Sequence, residues 1–475
     1  MTSSAIWSLA FGVIAAMAML VLATGARRTL AIGTLLIMVP FQTIDTRYGS
    51  SSTLMAYALA GVLALTGGLK FRMLPAFGFI VLGYFMSFAM ADRNDVLLNA
   101  VEMFQFFSAF VVFILAYDFA RSVETERSMI DVLLVIDGLA VAYCLLQLTV
   151  GPGERFTPFG IEQLAFNPNR TPDDPRLIGP FGNPGNTAGY FTLMTLVCCL
   201  EFMFAQGRRK LVIELIIFLN LLGIVATGNR TGFLILVAMF PIFLYTFRGE
   251  LGAKRLTTYL LGGFAALAIA SVVALQFTDF NRMFSRMQSV TETSEGLPKT
   301  RANTWSAAIA KIKEDPWFGK GPYYPSAHAL AKAGEIRTEF ENLGELTTAF
   351  DPYPHCLYLY LLRTVGIVGL IPVLGFFLGS AAVLYASVRR GSPDPYRLAI
   401  TRLGLLLIMA FLVAQVTLEF NRSETMDYAQ FIFALLGLLI GTSDRDRQPA
   451  SLMRGALQSE QRVQGRLIGN QSTVS

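Results

Sequence analysis

The stretch YPHCLYLYLLRTVGIVGLIPVLGFFLGSAAVLYASVRR, residues 353–390, decides the class of this chain. From Cys356 to Ser387 its one charged residue is Arg363. A helix that crosses a bilayer needs about 20 predominantly apolar residues. This run is long for one helix, so a break is expected near Gly366 or Gly369. It begins where a long polar insert ends, at Pro354-His355, and it closes on Arg389-Arg390.

Working outward, the same kind of run recurs near 5–24, 29–44, 53–69, 73–91, 96–117, 128–149, 185–205, 211–227, 231–247, 257–277, 398–418 and 427–442. Hydrophobic residues make up 54% of the chain and charged residues 15%. One soluble core cannot hide that much apolar surface, so the bilayer must be the solvent. The expected fold is an all-α, polytopic membrane helix bundle of about 12–13 transmembrane helices. The first run lacks a basic leader and reads as a retained helix rather than a cleaved signal.

Basic residues alternate between connections. Arg27-Arg28, Lys70 with Arg72, Arg121 with Arg127, Arg208-Arg209-Lys210, Arg248 with Lys254-Arg255, and Arg389-Arg390 with Arg397 mark one side. The intervening short connections carry single residues: Arg47, Arg93, Arg230 and Arg422. Basic loops stay cytoplasmic. The N-terminus and two larger connections, 150–184 and 278–355, are thereby expected outside, and the Arg-bearing tail 443–475 inside. The tail, rich in Gln, Ser and Gly, is expected to be a disordered cytoplasmic segment. The chain divides into N-terminal helices (1–149), a membrane domain (150–442) that contains the 278–355 insert with its short helices, and that tail.

The net charge of +5 is topology signal rather than nucleic-acid affinity. Cys144, Cys198, Cys199 and Cys356 show no metal-ligand spacing and no disulfide framework. There is no Walker loop, no paired-Gly dinucleotide fingerprint and no internal repeat, so no cofactor is expected.

Four polar clusters map to the outer side. Thr227-Gly-Asn-Arg230-Thr-Gly232 suits a tight turn that puts Arg230 at the start of a helix. The plain alternative is a snorkelling Arg at a helix end. Arg301-Ala-Asn-Thr-Trp305 opens an amphipathic run to Ile312, which Asp315-Pro316 should end, before a turn through Trp317-Phe-Gly319-Lys320-Gly321. That run could equally be a surface helix on the membrane with Arg301 solvated. Tyr353-Pro354-His355-Cys356 puts His355 in the first turn of the next helix, where its pKa range suits proton transfer. The other histidine, His328, lies in a polar segment and keeps a structural reading. Arg176 through Tyr190 is a turn-rich lead into a helix, with Asn186 or Thr187 as N-cap and amides left open to an anion. Asp173-Asp174 sits among prolines and reads as loop rather than a metal site.

This set resembles the O-antigen ligase and Wzy-type O-antigen polymerase superfamily. The matching residues are the Gly-Asn-Pro lead-in at 182–190, the turn around Arg230, the segment Arg301…Trp305…Asp315-Pro316-x-Phe318-Gly319-x-Gly321, and His355 followed by Gly366-Ile-Val-Gly369. They cover about 175–375. The sequence departs from the family pattern at Cys356, where Asn or Ser often follows the His, and at Arg363-Thr364, where a Glu is common.

The resemblance implies a glycosyltransferase C-like bundle in the bacterial inner membrane. It would act on the periplasmic side and move a glycan from undecaprenyl diphosphate to an acceptor hydroxyl without metal. The acceptor would be lipid A core, a lipid-linked repeat unit or a protein. The resemblance implies His355 as general base and Arg230 and Arg301 as diphosphate ligands. Arg176, Asn186, Trp305 and Lys320 are expected to contact donor or acceptor, and membrane lipids to surround the bundle. The polar insert favours a polymerase of O-antigen or exopolysaccharide slightly over a ligase. A flippase or transporter would place functional charges near the midplane and often shows repeats. A structural membrane subunit is the third reading.

Overall fold

The computed structural model describes residues 28–41, 45–46, 49–65, 74–90, 96–122, 126–151, 154–157, 160–163, 176–251, 297–322, 354, 356–392, 394–416 and 426–444, with isolated positions between 262 and 272. These form an all-α polytopic membrane bundle. In chain order its helices are α1 (Arg28–Met38), α2 (Ser51–Leu65), α3 (Leu74–Met90), α4 (Val96–Ser122), α5 (Glu126–Val150), α6 (Pro184–Phe204), α7 (Gly207–Ala226), α8 (Arg230–Thr246), α9 (Leu297–Glu314), α10 (Leu357–Arg390), α11 (Pro395–Ala414) and α12 (Met426–Asp444). Two antiparallel hairpins are the described strands, Asp45–Thr46 with Gly49–Ser50 and Glu154–Thr157 with Gly160–Gln163.

Every expected apolar run is a helix except 5–24 and most of 257–277, which lie outside the described residues. Among the described residues five helical segments are long and apolar enough to cross a bilayer: Asn99–Arg121, Arg127–Val150, Pro184–Phe204, Leu357–Arg390 and Pro395–Ala414. Thr29–Met38, Ser52–Leu65, Gly78–Met90 and Thr231–Thr246 are apolar but shorter. The expected break in the longest run falls at Gly366, with φ 63° and ψ −168° inside α10. Of the expected tail, residues 443 and 444 belong to α12, and the rest lies outside the described residues.

Lipid tails are as apolar as Leu, so packing and polar contacts must hold these helices together. α4 and α12 make the most extensive helix pair. Gly437 and Gly441, one turn apart on α12, lie against the backbone of Phe113 and Tyr117 on α4. The missing side chains let the two backbones close. A buried polar chain adds to this. Ser52 Oγ donates to Gln430 Oε1 (2.7 Å), and Gln430 Nε2 donates to Thr53 Oγ1 (2.8 Å) and Ser108 Oγ (2.7 Å). It ties α2, α4 and α12. A second polar contact joins α5 to α7, where Asn220 Nδ2 donates to Asp137 Oδ2 at 2.8 Å.

Contacts between helix ends fix the direction of each helix. At one end, Tyr396 at the start of α11 donates its hydroxyl to Glu201 near the end of α6. Arg209 at the start of α7 bonds the same carboxylate at 2.8 Å, and Arg402 pairs with Glu250 at 2.5 Å. At the other end, Leu357 N donates to Gln415 O (3.0 Å) and Leu177 N to Ala226 O (3.2 Å). The starts of α6, α8 and α10 and the ends of α7 and α11 therefore share one end of the bundle. The candidate polar segments lie there.

Candidate functional site

α7 stops at Ala226. Thr227 closes it, donating its hydroxyl to Ile224 O at 2.7 Å. Gly228 then adopts φ 58° and reverses the chain. Asn229 caps α8 by accepting the Gly232 amide at 3.0 Å. Arg230 is thus the first residue of α8, as the turn-forming residues predict. The side chain of Arg230 lies outside the described atoms.

Residues 176–187 pack beside this turn. The Leu177–Ala226 bond brings Arg176 alongside, and a Cβ at Gly228 would stand 4.0 Å from Arg176 Nε. Gly179 N donates to Gln147 Oε1 (2.9 Å), and Thr187 Oγ1 donates to Ile178 O (2.5 Å). The lead-in is therefore tied to α5 and to itself. α6 and α8 touch closely, because Gly232 sits against Ala188 and its carbonyl accepts the Thr192 hydroxyl at 3.1 Å.

The start of α6 corrects one expectation. Its N-cap is Asn183, not Asn186 or Thr187, and Pro184 follows at the first helical position. Pro is suited there because it lacks an amide that would be unsatisfied anyway. Asn183 Oδ1 accepts from Gly185 N (2.8 Å) and Asn186 N (3.3 Å). The cap therefore already holds the amides expected to be open to an anion. Asn186 is buried within the first turn.

In the insert, α9 ends at Glu314, where Asp315-Pro316 breaks it as expected. Arg301 lies one turn before Trp305 on this helix; its side chain lies outside the described atoms. Trp305 Nε1 donates to Pro354 O at 2.7 Å. This bond pins α9 to the residue directly before His355.

The turn after α9 docks on the kink of α10 through four backbone hydrogen bonds. Lys320 N donates to Arg363 O (3.0 Å), Gly321 N to Thr364 O (2.9 Å), Ile367 N to Pro316 O (2.9 Å) and Val368 N to Trp317 O (3.1 Å). Two glycines permit this approach. A Cβ on Gly366 would strike the Trp317 carbonyl, and one on Gly319 (φ 67°) would strike the Thr364 carbonyl. Both also hold a positive φ that L side chains rarely adopt. Ser87 on α3 donates to Thr364 O (3.0 Å) and ties the kink to the N-terminal helices. Lys320, expected to contact substrate, has its ammonium 3.6 Å from Glu314 Oε2. Glu314 also pairs with Lys311 at 3.2 Å. Lys311 first, and then Lys320, hold the Glu314 carboxyl below its ordinary range.

His355 lies outside the described residues, while its neighbours do not. Pro354 is buried, and Cys356 is the extended N-cap of α10, which begins at Leu357. The corner is held to α11 by the Leu357–Gln415 bond and by Tyr358 Oη donating to Leu412 O at 2.6 Å. Gln415 has no counterpart among the expected site residues. A lone Gln at the end of an apolar run carries no local pattern to mark it. Among the described residues no group of three or more His, Cys, Asp or Glu could hold a metal ion.

The described residues thus form a multi-pass helix bundle with the 176–187 lead-in, the turn that opens α8 and the pinned α9 gathered at one end. Residues 215–374 match the family model described as O-Antigen ligase, which supports the resemblance of this segment to the O-antigen ligase and Wzy-type superfamily. No curated protein matches the chain. The matched segment runs from within α7 to within α10 and includes positions 230, 301, 305, 320 and 355; Arg176 and Asn186 precede it. The domain supports a glycosyltransferase-type activity on a lipid-linked glycan and an acceptor.

Proposed function

We propose that this protein is a periplasmic-face glycosyltransferase of the bacterial inner membrane, which moves a glycan from undecaprenyl diphosphate to an acceptor hydroxyl as an O-antigen or exopolysaccharide polymerase or an O-antigen ligase. The carrying observation is that the matched domain spans Arg230, Arg301 and His355, on segments gathered at one end of the bundle. His355 takes the proton of the acceptor hydroxyl. The oxygen attacks the anomeric carbon, and the bond to the diphosphate breaks with its electron pair leaving on phosphate oxygen. Attack from the opposite side inverts the anomeric configuration.

Arg230 and Arg301 hold the diphosphate and stabilise the charge that grows on it, as preorganised donors do in other transfer reactions. Their fork geometry grips phosphate bidentately. They supply this charge without a metal. Arg176 adds positive charge beside the Arg230 turn. Trp305 serves by holding α9, which carries Arg301, against Pro354. In this reading residues 150–442 make up the membrane domain that carries the activity.

Purified protein supplied with undecaprenyl-diphosphate glycan and acceptor tests this reading. His355→Ala should remain in the membrane and lose transfer by about 10²-fold or more, the range for a general base. Normal glycan yield and length in that variant would defeat the assignment. A product extended by further repeat units marks a polymerase, and transfer to lipid A core or to protein marks a ligase.

A further inference from the structure

α10 is too long for its place. Its 34 residues would rise about 51 Å if straight, whereas the hydrocarbon core of a bilayer is roughly 30 Å thick. Its two ends are nonetheless tied to those of α11, which has 20 residues and rises about 30 Å. Leu357 N bonds Gln415 O at one end, and the short connection 391–394 joins the two helices at the other. The surplus length is taken up at the Gly366 kink. From 367 to 390 the helix rises about 36 Å and can cross by itself, which leaves 357–365 to run along the membrane boundary. Ser87, near the end of α3, meets this segment at Thr364 O (3.0 Å), as a boundary position requires.

α9 follows that segment. Trp305 pins it to Pro354, and the turn after it is bonded to the kink. Ala308 is buried, whereas Ile309 is 43% and Trp317 60% exposed. The Trp317 backbone is fixed all the same, because its carbonyl accepts from Val368 N at 3.1 Å and lies against Gly366. Lys313 is exposed between the two apolar side chains, and Lys311 and Lys320 pair with Glu314 nearby. An open indole on so rigid a backbone, with an apolar neighbour on the same helix, marks a contact surface.

We propose that α9 and the turn after it rest on the lipid leaflet at this end of the bundle: Trp317 and Ile309 sink into the boundary between acyl chains and headgroups, and Lys313 meets lipid phosphate. Depth selects lipid as the occupant, because both anchor points of α9 lie at the level where the spanning part of α10 ends. Trp favours that level, with an apolar ring and a polar N–H. A Lys stem lies on apolar surface there while its ammonium reaches the phosphates. Anchored in this way, α9 is held flat on the leaflet from which a lipid-linked substrate arrives.

The test uses the full-length protein in nanodiscs of phosphatidylethanolamine and phosphatidylglycerol, with and without a lipid that carries a nitroxide on its headgroup. Trp317→Phe is the reference. Trp7 and Trp305 are common to both proteins, so the difference in their emission belongs to Trp317. The nitroxide lipid should remove at least half of that difference. A smaller loss, with iodide in the water quenching instead, puts the ring in solvent and overturns the proposal. A ring shielded from both quenchers is covered by protein, and lipid quenching that disappears when free glycan is added assigns the face to sugar; either result overturns it too. Ile309→Trp in the Trp317→Phe protein moves the reporter about two turns back along the chain. It should be quenched by the same lipid, and an unquenched indole there removes the proposed lipid-facing surface. If Trp317→Phe fails to accumulate, Trp317→Leu takes its place with the same expectations. These readouts need no transfer activity, so their failure and that of the proposed reaction are separate results.

Discussion

Gly366→Ala should release the insert from α10 without unfolding the bundle. Two costs combine at this position. The backbone is held at φ 63° and ψ −168°, a region that is essentially glycine's alone and costs other residues roughly 1–3 kcal/mol. The new Cβ would also meet the Trp317 carbonyl, which is backbone and cannot swing aside. The cheapest relief is to open the junction and forfeit its four backbone hydrogen bonds, each worth about 0.5–1.5 kcal/mol net. A destabilisation of the junction by about 3 kcal/mol corresponds to roughly a hundredfold rise in the open population. α10 also packs against α3, α11 and α12, so the damage should stay local. Hydrogen exchange read at the amides of Lys320, Gly321, Ile367 and Val368 measures it. Those four should exchange about a hundredfold faster, with the amides of α4 and α12 unchanged. Transfer activity should fall in parallel, because the junction carries α9 and with it Arg301. Unaltered protection at the four amides would show that the glycine contact does not hold the insert.

Arg230→Lys should reduce transfer at least tenfold with the protein still in the membrane, because an ammonium cannot reproduce the guanidinium fork; equal rates for the two proteins would make Arg230 an interfacial anchor only. Trp305→Phe removes the indole donor to Pro354 while keeping an aromatic body. The loss of about 1 kcal/mol of positioning corresponds to roughly a fivefold fall in kcat. A Trp305→Phe protein with undiminished turnover would separate the Pro354 contact from catalysis.

Some of the site is legible in the chain because it depends on local chemistry. Gly228 and Asn229 can be read as a turn that starts a helix, since φ freedom and a short capping side chain act within a few residues. The end of α9 at Asp315-Pro316 follows from sterics between neighbours. The cap of α6 was misplaced from the sequence because Asn183, Asn186 and Thr187 are all competent caps. Pro184 at the first helical position, and the accepting geometry of Asn183, decided among them. The sequence put a break near Gly366 or Gly369, but the choice of Gly366 and its cause were not legible there. That cause is a contact with Trp317, which is 49 residues away and in a different element.

Gln415 shows the same division. The sequence places it at the end of an apolar run, where an interfacial residue is ordinary. Only the packing of α10 against α11 reveals that its amide is buried and that its carbonyl holds Leu357.

Hydropathy and the alternation of basic loops were enough to determine a polytopic helical bundle, since a bilayer rewards apolar length whatever the partners. The recognisable motifs also pointed to the superfamily. Tertiary structure alone decided which donors meet which carbonyls at this end of the bundle: Trp305 with Pro354, the 316–321 turn with α10, and α11 with the start of α10. Those pairings join residues far apart in the chain through single hydrogen bonds and glycine-sized gaps, and no local periodicity encodes such meetings.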